Sequence, residues 1–347
     1  MEVLKPRRLR RGDTVAVLSP SWGGPAVFPH VYRRGLDVLR EDLGLRVEEL
    51  PTATADPEHL YRHPEARARD VNHAFADDGI AALIATIGGD DAVRILPYLD
   101  AEVARANPKI LMGYSDVTSL LAWASRHGLV AFHGPTVMAG LSQLRAWPRA
   151  FADHLRTMLF EAPAGCVYRP YAVWSEGYPD WSLPGSVGRA NALHPNREGW
   201  RWVQGEGIAE GRLFGGCLEV LEMLKGTPWW PDASFWRGRI LFLETSEEAP
   251  PPAQVQRWLR NYGMQGVFDA VAGLLLGRPC GYTESDREEL RQRVARVVGV
   301  EFGRPDLPVV ADMDFGHTDP QLVLPLGVTA RIDCAARTVS LVESPLA

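Results

Sequence analysis

Cysteine is sparse in this chain. Cys166, Cys217, Cys280 and Cys334 lie far apart with no C-x-x-C pair, so neither a disulfide framework nor a zinc knuckle is expected. Long hydrophobic runs are missing too. No stretch approaches the roughly 18 apolar residues of a membrane helix, and the apolar run "TVAVL" near the amino terminus is too short for a signal-peptide core. A cytoplasmic protein is the expectation. Positive charge is not in excess: the formal net charge is −6, and the short Arg7–Arg11 cluster is the one basic run, so nucleic acids and anionic membranes are not expected partners. Neither G-x-G-x-x-G nor G-x-x-x-x-G-K-[ST] occurs, which leaves nucleotide-cofactor chemistry without support. Internal repeats and heptads are also absent.

What is there is an ordinary globular composition. A chain of 347 residues, 46% hydrophobic and 23% charged, suits one large or two medium domains with a sizeable core. Up to about residue 160, short β-type runs "TVAVLS" (14–19), "LRVEEL" (45–50), "IAALIAT" (80–86), "KILMGY" (109–114) and "LVAF" (129–132) alternate with helix-like stretches. That rhythm predicts a parallel sheet covered by helices. Ligands of such sheets collect at the strands' carboxyl ends, where the loops "SPSWGG", "TIGGDD", "GYSD" and "FHGP" follow the runs.

Residues 161–207 are rich in Pro, Gly, Trp and Tyr, which predicts a crossover and long loops, with the domain boundary here. Beyond it, "GRLFGGCLEVLEMLKG" predicts a turn then a helix, and "GRILFLET" a strand. A helix opened by "EEAPPPAQVQRWLRNYG", the strand "AVAGLLLG", a helix near 285–298 and a β-rich terminal stretch follow.

Ser115 stands where an apolar strand gives way to a helix. A serine there is first of all a helix cap, with Asp116 favoured by the helix's positive end. The same turn also exposes a side chain above an open sheet and aims N–H groups at whatever it attacks. A G-x-S-x-G elbow would want Gly at 117, where this chain has Val117, which weakens an α/β-hydrolase reading. A nucleophilic serine needs a base. His59 and His63 have metal-pair spacing but no H-E-x-x-H, so a solvated helix face explains them better. His127 fits a helix end. His133, in "FHGP", and His317, in the polar loop of "DMDFGHTDPQLVLPLG", are the serious candidates. Glu244, ending "GRILFLE", is either an orienting carboxylate or a strand end facing water. Gly88 and Gly89 allow backbone to approach a ligand closely.

Taken in order, "RRGDTVAVLSPS", "IGGDDAVRILPYLD", "LMGYSDVTSLL", "FHGP", "GRLFGGCLEVLEMLKGT", "ILFLETSEE" and "FGHTDPQLVLPLG" resemble the serine LD-carboxypeptidase family, which includes the microcin C self-immunity peptidases. The resemblance implies an α/β fold: a flavodoxin-like N-terminal domain (1–165) with a parallel sheet, a crossover linker (166–185), and a mixed, β-rich C-terminal domain of swivelling type (186–347). It implies Ser115 as nucleophile, His317 as general base in place of His133, Glu244 as the residue orienting His317, and the N–H groups of Gly89 and Asp116 as oxyanion hole. No cofactor or metal is required, and a homodimer is implied. "TIGG" and the tryptophan-rich middle segment are similar to the immunity-peptidase branch, in which an aromatic loop stacks on the nucleobase of a peptidyl-nucleotide. Gly88, Trp174, Trp181 and His133 are the expected substrate-binding residues. Taken singly, Trp174, Trp181, Trp200 and Trp202 are each better explained by packing at the crossover or a dimer contact. The family commonly has Asn where this chain has Cys217, so a polar contact from that position is not carried over. Cleavage of a terminal D-Ala from muropeptides is the alternative activity, and a non-catalytic small-peptide or nucleotide binder the alternative of another class.

Overall fold

The strand Ile80–Ala85 is buried at every position, as expected of a central parallel strand covered on both faces. In the computed structural model, which describes residues 2–183 and 185–347, it is β3 of a six-stranded sheet. Residues 1 and 184, which fall in the expected N-terminal domain and crossover, lie outside the described residues. Its companions are β1 (Thr14–Leu18), β2 (Arg46–Glu49), β4 (Ile110–Gly113) and β5 (Ala131–His133). The spatial order 2-1-3-4-5 runs all in parallel. The five β-type runs of the first half all become strands. A sixth, β15 (Leu324–Leu326), comes from the far end of the chain and pairs antiparallel with β5, Leu324 opposite His133.

The rest of the chain forms a larger, mixed sheet. Its strands are β6 (Val167–Tyr168), β9 (Arg201–Gln204), β10 (Ile208–Cys217), β11 (Ile240–Glu244), β12 (Gly273–Gly277), β13 (Val309–Met313), β16 (Thr329–Asp333) and β17 (Thr338–Leu341). They lie in the order 6-17-16-10-11-12-13-9, with β10 to β13 parallel. Two sequence expectations fail here. "GRLFGGC" is not a turn but the last seven residues of the ten-residue strand β10, with the expected helix following at Leu218–Leu224. Its glycines hid it, because strand propensity is low for a residue that brings no side chain to pack. Nor is the segment 161–207 only loop. It contains β6, β9, β7 (Val173–Glu176) and β8 (His194–Pro195), and β7 pairs with both β8 and β14 (Thr318–Asp319). Partners distant in sequence decide such short strands.

The two sheets meet through the helix Thr118–Arg126, buried continuously from Thr118 to Ser125. It packs against β4 and β5 on one side and against β10 and the helix Leu218–Leu224 on the other. Thr118 Oγ1 accepts a hydrogen bond of 3.1 Å from the Cys217 N–H at the end of β10. The carboxyl ends of both parallel strand sets therefore converge on the start of this one helix.

Candidate active site

Ser115 follows β4 with φ of +59°, a left-handed backbone that costs a non-glycine residue about 1–3 kcal/mol. The turn 115–117 then leads into the helix at Thr118. Tyr114 occupies the cap position and no side-chain capping bond forms. The helix-cap explanation of Ser115 therefore fails: the residue is held in strain, half-buried, with its hydroxyl spared from the backbone.

The loops after β1 and β3 close around it. A Cβ on Gly88 would lie 2.8 Å from Ser115 Cβ, 2.9 Å from its Oγ and 3.3 Å from the Asp116 nitrogen, so only glycine fits. The Gly88 carbonyl accepts from the Trp22 N–H at 3.2 Å. Asp116 is fully buried. Its Oδ2 accepts from Ser21 Oγ at 2.5 Å and from the Ala92 N–H at 2.7 Å, tying both neighbouring loops to the serine turn. Burial raises its pKa, while the Ser21 and Ala92 bonds favour the carboxylate.

The second sheet contributes Glu244, the last residue of β11, and His317, in the loop between β13 and β14. Glu244 Oε2 lies 2.7 Å from His317 Nδ1. Gly316, at φ +94°, makes this possible, since a Cβ there would fall 2.6 Å from Glu244 Oε2. Both side chains are buried. Burial alone would push Glu244 up, but the facing charge of His317, with help from His133, holds it at about 2. For His317 burial opposes the charge, and the adjacent carboxylates Glu244 and Glu247 overcome it, lifting the imidazole to about 10. The His317 ring packs edge-on to Tyr114 at 4.9 Å, placing it beside the residue before Ser115. The loop is anchored by Asp314, which pairs with buried Arg278 at 2.7 Å and accepts from Trp200 Nε1 at 2.9 Å and the Tyr171 N–H at 3.1 Å.

The other expected residues scatter. His133 is fully buried, its Nε2 3.6 Å from Glu244 Oε1, too long for a hydrogen bond; it backs the carboxylate from behind. Trp181 stacks on Tyr178 at 4.1 Å and meets Phe28 edge-on at 5.6 Å, and Phe28 in turn meets Trp22. Trp174 lies elsewhere, against His194 at 4.6 Å and under Arg278 and Arg287. Trp200 is a structural anchor through Asp314. His59 and His63 are ring neighbours at 4.6 Å, and His127 closes the helix after Ser115, its ring Nδ1 2.8 Å from the Trp123 carbonyl. Among the described residues, no group of three or more His, Cys, Asp or Glu is arranged to hold a metal ion. No helix among them is long and apolar enough to cross a membrane.

Two residues near the imidazole were not read from the sequence. Glu247 Oε2 is 3.0 Å from His317 Nε2; its place three residues after Glu244 in "ETSEE" was the available signal. Asp319 is buried and pushed up to about 7 by that burial, against the lowering effects of Gln321 and His317.

Comparison with known proteins identifies the family. The LD-carboxypeptidase N-terminal domain family matches residues 15–134, and the LD-carboxypeptidase C-terminal domain family matches 210–332. The microcin C7 self-immunity protein MccF of Escherichia coli is 29% identical over 339 residues, 96% of this chain and 94% of its own. A putative carboxypeptidase of Streptomyces coelicolor is 33% identical over 344 residues, 98% of this chain and 96% of its own. A probable murein peptide carboxypeptidase of Bacillus subtilis is 28% identical over 337 residues, 96% and 93%. Among solved structures, an MccF-like protein from Streptococcus pneumoniae in complex with AMP superimposes with a TM-score of 0.85 at 29% identity, covering 95% of this chain and 98% of that one. The chain belongs to the LD-carboxypeptidase family of serine carboxypeptidase-type hydrolases.

Proposed function

We propose that Ser115, His317 and Glu244 form a catalytic triad that cleaves an amide-type bond next to a nucleotide, in a peptidyl- or aminoacyl-nucleotide. The observation carrying this reading is the buried Glu244–His317 pair at 2.7 Å, its imidazole packed on Tyr114 at 4.9 Å, the residue before a serine strained to φ +59°. Glu244 fixes the imidazole so that Nδ1 carries its proton and Nε2 is the working nitrogen. Ser115 Oγ attacks the carbonyl as His317 Nε2 takes its proton, and the oxyanion is received by the N–H groups of Gly89 and Asp116. His317 then protonates the leaving nitrogen, and water, activated by the same imidazole, releases the acyl group.

Two observations favour the nucleotide over a murein peptide. One is the aromatic run Trp22, Phe28, Trp181 and Tyr178, which joins the loop beside Gly88 to the segment around residue 180. Stacking on such a surface is typically worth about 1–3 kcal/mol per base. The other is the similarity, over nearly the whole chain, to a structure holding AMP. The expected platform Trp181 is 7% exposed, packed between Tyr178 and Phe28, so the partly exposed Trp22, Phe28 and Tyr178 offer the stacking faces; Trp174 serves the same ligand only where that ligand extends past Arg278. The functional unit is a homodimer, to be checked by sedimentation.

The test is to incubate the purified protein with an aminoacyl sulfamoyl adenosine and with an L,D-linked muropeptide. Cleavage of the first, abolished in Ser115→Ala, is expected. Cleavage of the muropeptide alone would move the protein to the cell-wall branch. If a fluorophosphonate probe leaves the folded protein unlabelled at Ser115, the catalytic reading fails and binding alone remains.

A further inference from the structure

The working nitrogen of the imidazole already has a neighbour. His317 Nε2 makes no aligned hydrogen bond among the described residues, and the ring is 6% exposed, yet Glu247 Oε2 sits 3.0 Å from it. The two glutamates beside His317 differ in freedom. Glu244 is wholly enclosed, whereas the Glu247 side chain is 60% exposed. Behind Glu247 the turn is pinned, because Ser246 donates through both N–H and Oγ to Glu219 Oε1 at 2.9 and 2.8 Å. Glu247 is therefore a movable carboxylate on a fixed turn. While it lies against Nε2 it favours the imidazolium, which cannot accept a proton from Ser115.

A cation can draw it away. The groups around Glu247 are otherwise acidic or neutral: Tyr178, Cys280 and Asp319 share its surroundings and Glu176 faces Cys280; on the loop beside Gly89, Asp90 is exposed, while Arg67 and Arg94 are both taken up by Asp91. We propose that Glu247 is a substrate-sensing positioning residue, which holds the proton on His317 Nε2 in the free enzyme and hands itself to the ammonium group of an amine-bearing acyl substrate. This deepens the reading of the site given above and rests on it. Once Glu247 pairs with the ammonium, the Nε2 proton leaves to water. The neutral imidazole then takes the Ser115 proton as the Oγ–carbon bond forms, and later delivers it to the leaving nitrogen. Substrates with a free amine near the scissile carbonyl are thereby favoured over their N-acylated forms.

The groups facing the imidazole are Glu244 at Nδ1, Glu247 at Nε2, the Tyr114 ring and Asp319, with His133 behind Glu244. Only Glu247 is exposed among these carboxylates, so its removal is the change that isolates the effect. The experiment compares wild type, Glu247→Gln and Glu248→Gln with an aminoacyl sulfamoyl adenosine and its N-acetyl derivative. In parallel, the His317 ring nitrogens are titrated by NMR, assigned against His317→Asn, with saturating alaninamide or N-acetylalaninamide.

In wild type, the acid limb of kcat for the free amine is expected about one pH unit or more below that of kcat/KM, a tenfold change in neutral imidazole at a given pH. For the N-acetyl compound the two limbs coincide. Glu247→Gln lowers the His317 titration and removes the difference between substrates; Glu248→Gln does neither. An unchanged titration in Glu247→Gln, an equal shift in Glu248→Gln, or a substrate difference that survives Glu247→Gln each overturns the proposal. If wild type turns over no substrate, the triad reading falls, and the titration still decides whether Glu247 clamps the imidazole and whether alaninamide, unlike its acetyl form, releases it.

Discussion

Replacing Gly88 by alanine adds one methyl group at the point where two loops touch. That carbon would stand 2.8 Å from Ser115 Cβ and 2.9 Å from its Oγ, roughly 1 Å inside the ordinary carbon contact of about 3.5–4.0 Å. Ser115 cannot yield by rotating its backbone, because φ of +59° already leaves a narrow allowed region for a residue with a Cβ. Nor can Asp116 yield cheaply, held by Ser21 and Ala92. The remaining response is to displace the hydroxyl or the 88–89 loop by about 1 Å. Misplacement of a reacting group by about 1 Å costs on the order of 100-fold, which is about 2.7 kcal/mol of transition-state stabilisation. Overpacking itself costs typically about 1–3 kcal/mol of stability, less than the roughly 5–15 kcal/mol that keeps an ordinary domain folded. Gly88→Ala is therefore expected to remain folded by circular dichroism and melt a few degrees lower. Its kcat/KM should drop about 100-fold, and its labelling by a fluorophosphonate should slow in parallel. Activity within about fivefold of wild type, in a protein of unchanged melting temperature, would refute the reasoning, since the loop would then have room that the geometry denies it.

Other perturbations separate the remaining contacts. Thr118→Val removes the acceptor of the buried Cys217 N–H and is expected to cost about 1–3 kcal/mol, read from urea midpoints. Ser21→Ala deletes the 2.5 Å bond to Asp116; it should lower kcat, because it loosens the turn that carries Ser115 and the Asp116 N–H. Trp22→Ala, at the partly exposed end of the aromatic run, should raise KM for a nucleotide-bearing substrate by about fivefold to 100-fold, within the stacking range of about 1–3 kcal/mol, and leave an L,D-muropeptide unaffected. The His317–Glu244 pair also gives a stability profile. His317 titrates at about 10 in the folded chain against about 6.5 unfolded, so its contribution is full below about pH 6.5 and is lost as pH rises through about 10. Glu244, held at about 2 against about 4.3 unfolded, contributes above that value and loses it as pH falls through about 2. His317→Asn should abolish the alkaline decline in urea midpoint relative to wild type; a constant difference across that range would exclude the pairing as its source.

Much of the architecture lay open in the sequence where local pattern and tertiary setting agree. Runs such as "IAALIAT" and "KILMGY" become β3 and β4 because a strand covered on both faces must be apolar throughout. Where setting overrode pattern, reading failed. "GRLFGGC" became strand because β11 and β16 pair with it, whatever its glycines prefer. Likewise β7 exists through its partner β14, about 140 residues further on.

The candidate site divides in the same way. Ser115 and Glu244 were visible as residues ending apolar strands, and Gly88 as a glycine after one, since the chemistry of an open sheet gathers at those ends. Their meaning was not visible. Ser115 read by itself is a helix cap, and only the folded turn, at φ +59° with no capping bond, frees the hydroxyl. His133 and His317 were equal rivals by local sequence; in the fold His317 makes the 2.7 Å contact with Glu244, while His133 stands 3.6 Å from the same carboxylate. Glu247 carried no signal beyond its nearness to Glu244. The sequence by itself determined which side chains reach the carboxyl ends of the strands, because that follows from polarity and period along one segment. Which of them touch depends on packing two sheets against one helix, a distance set by the whole fold and by no single stretch of it.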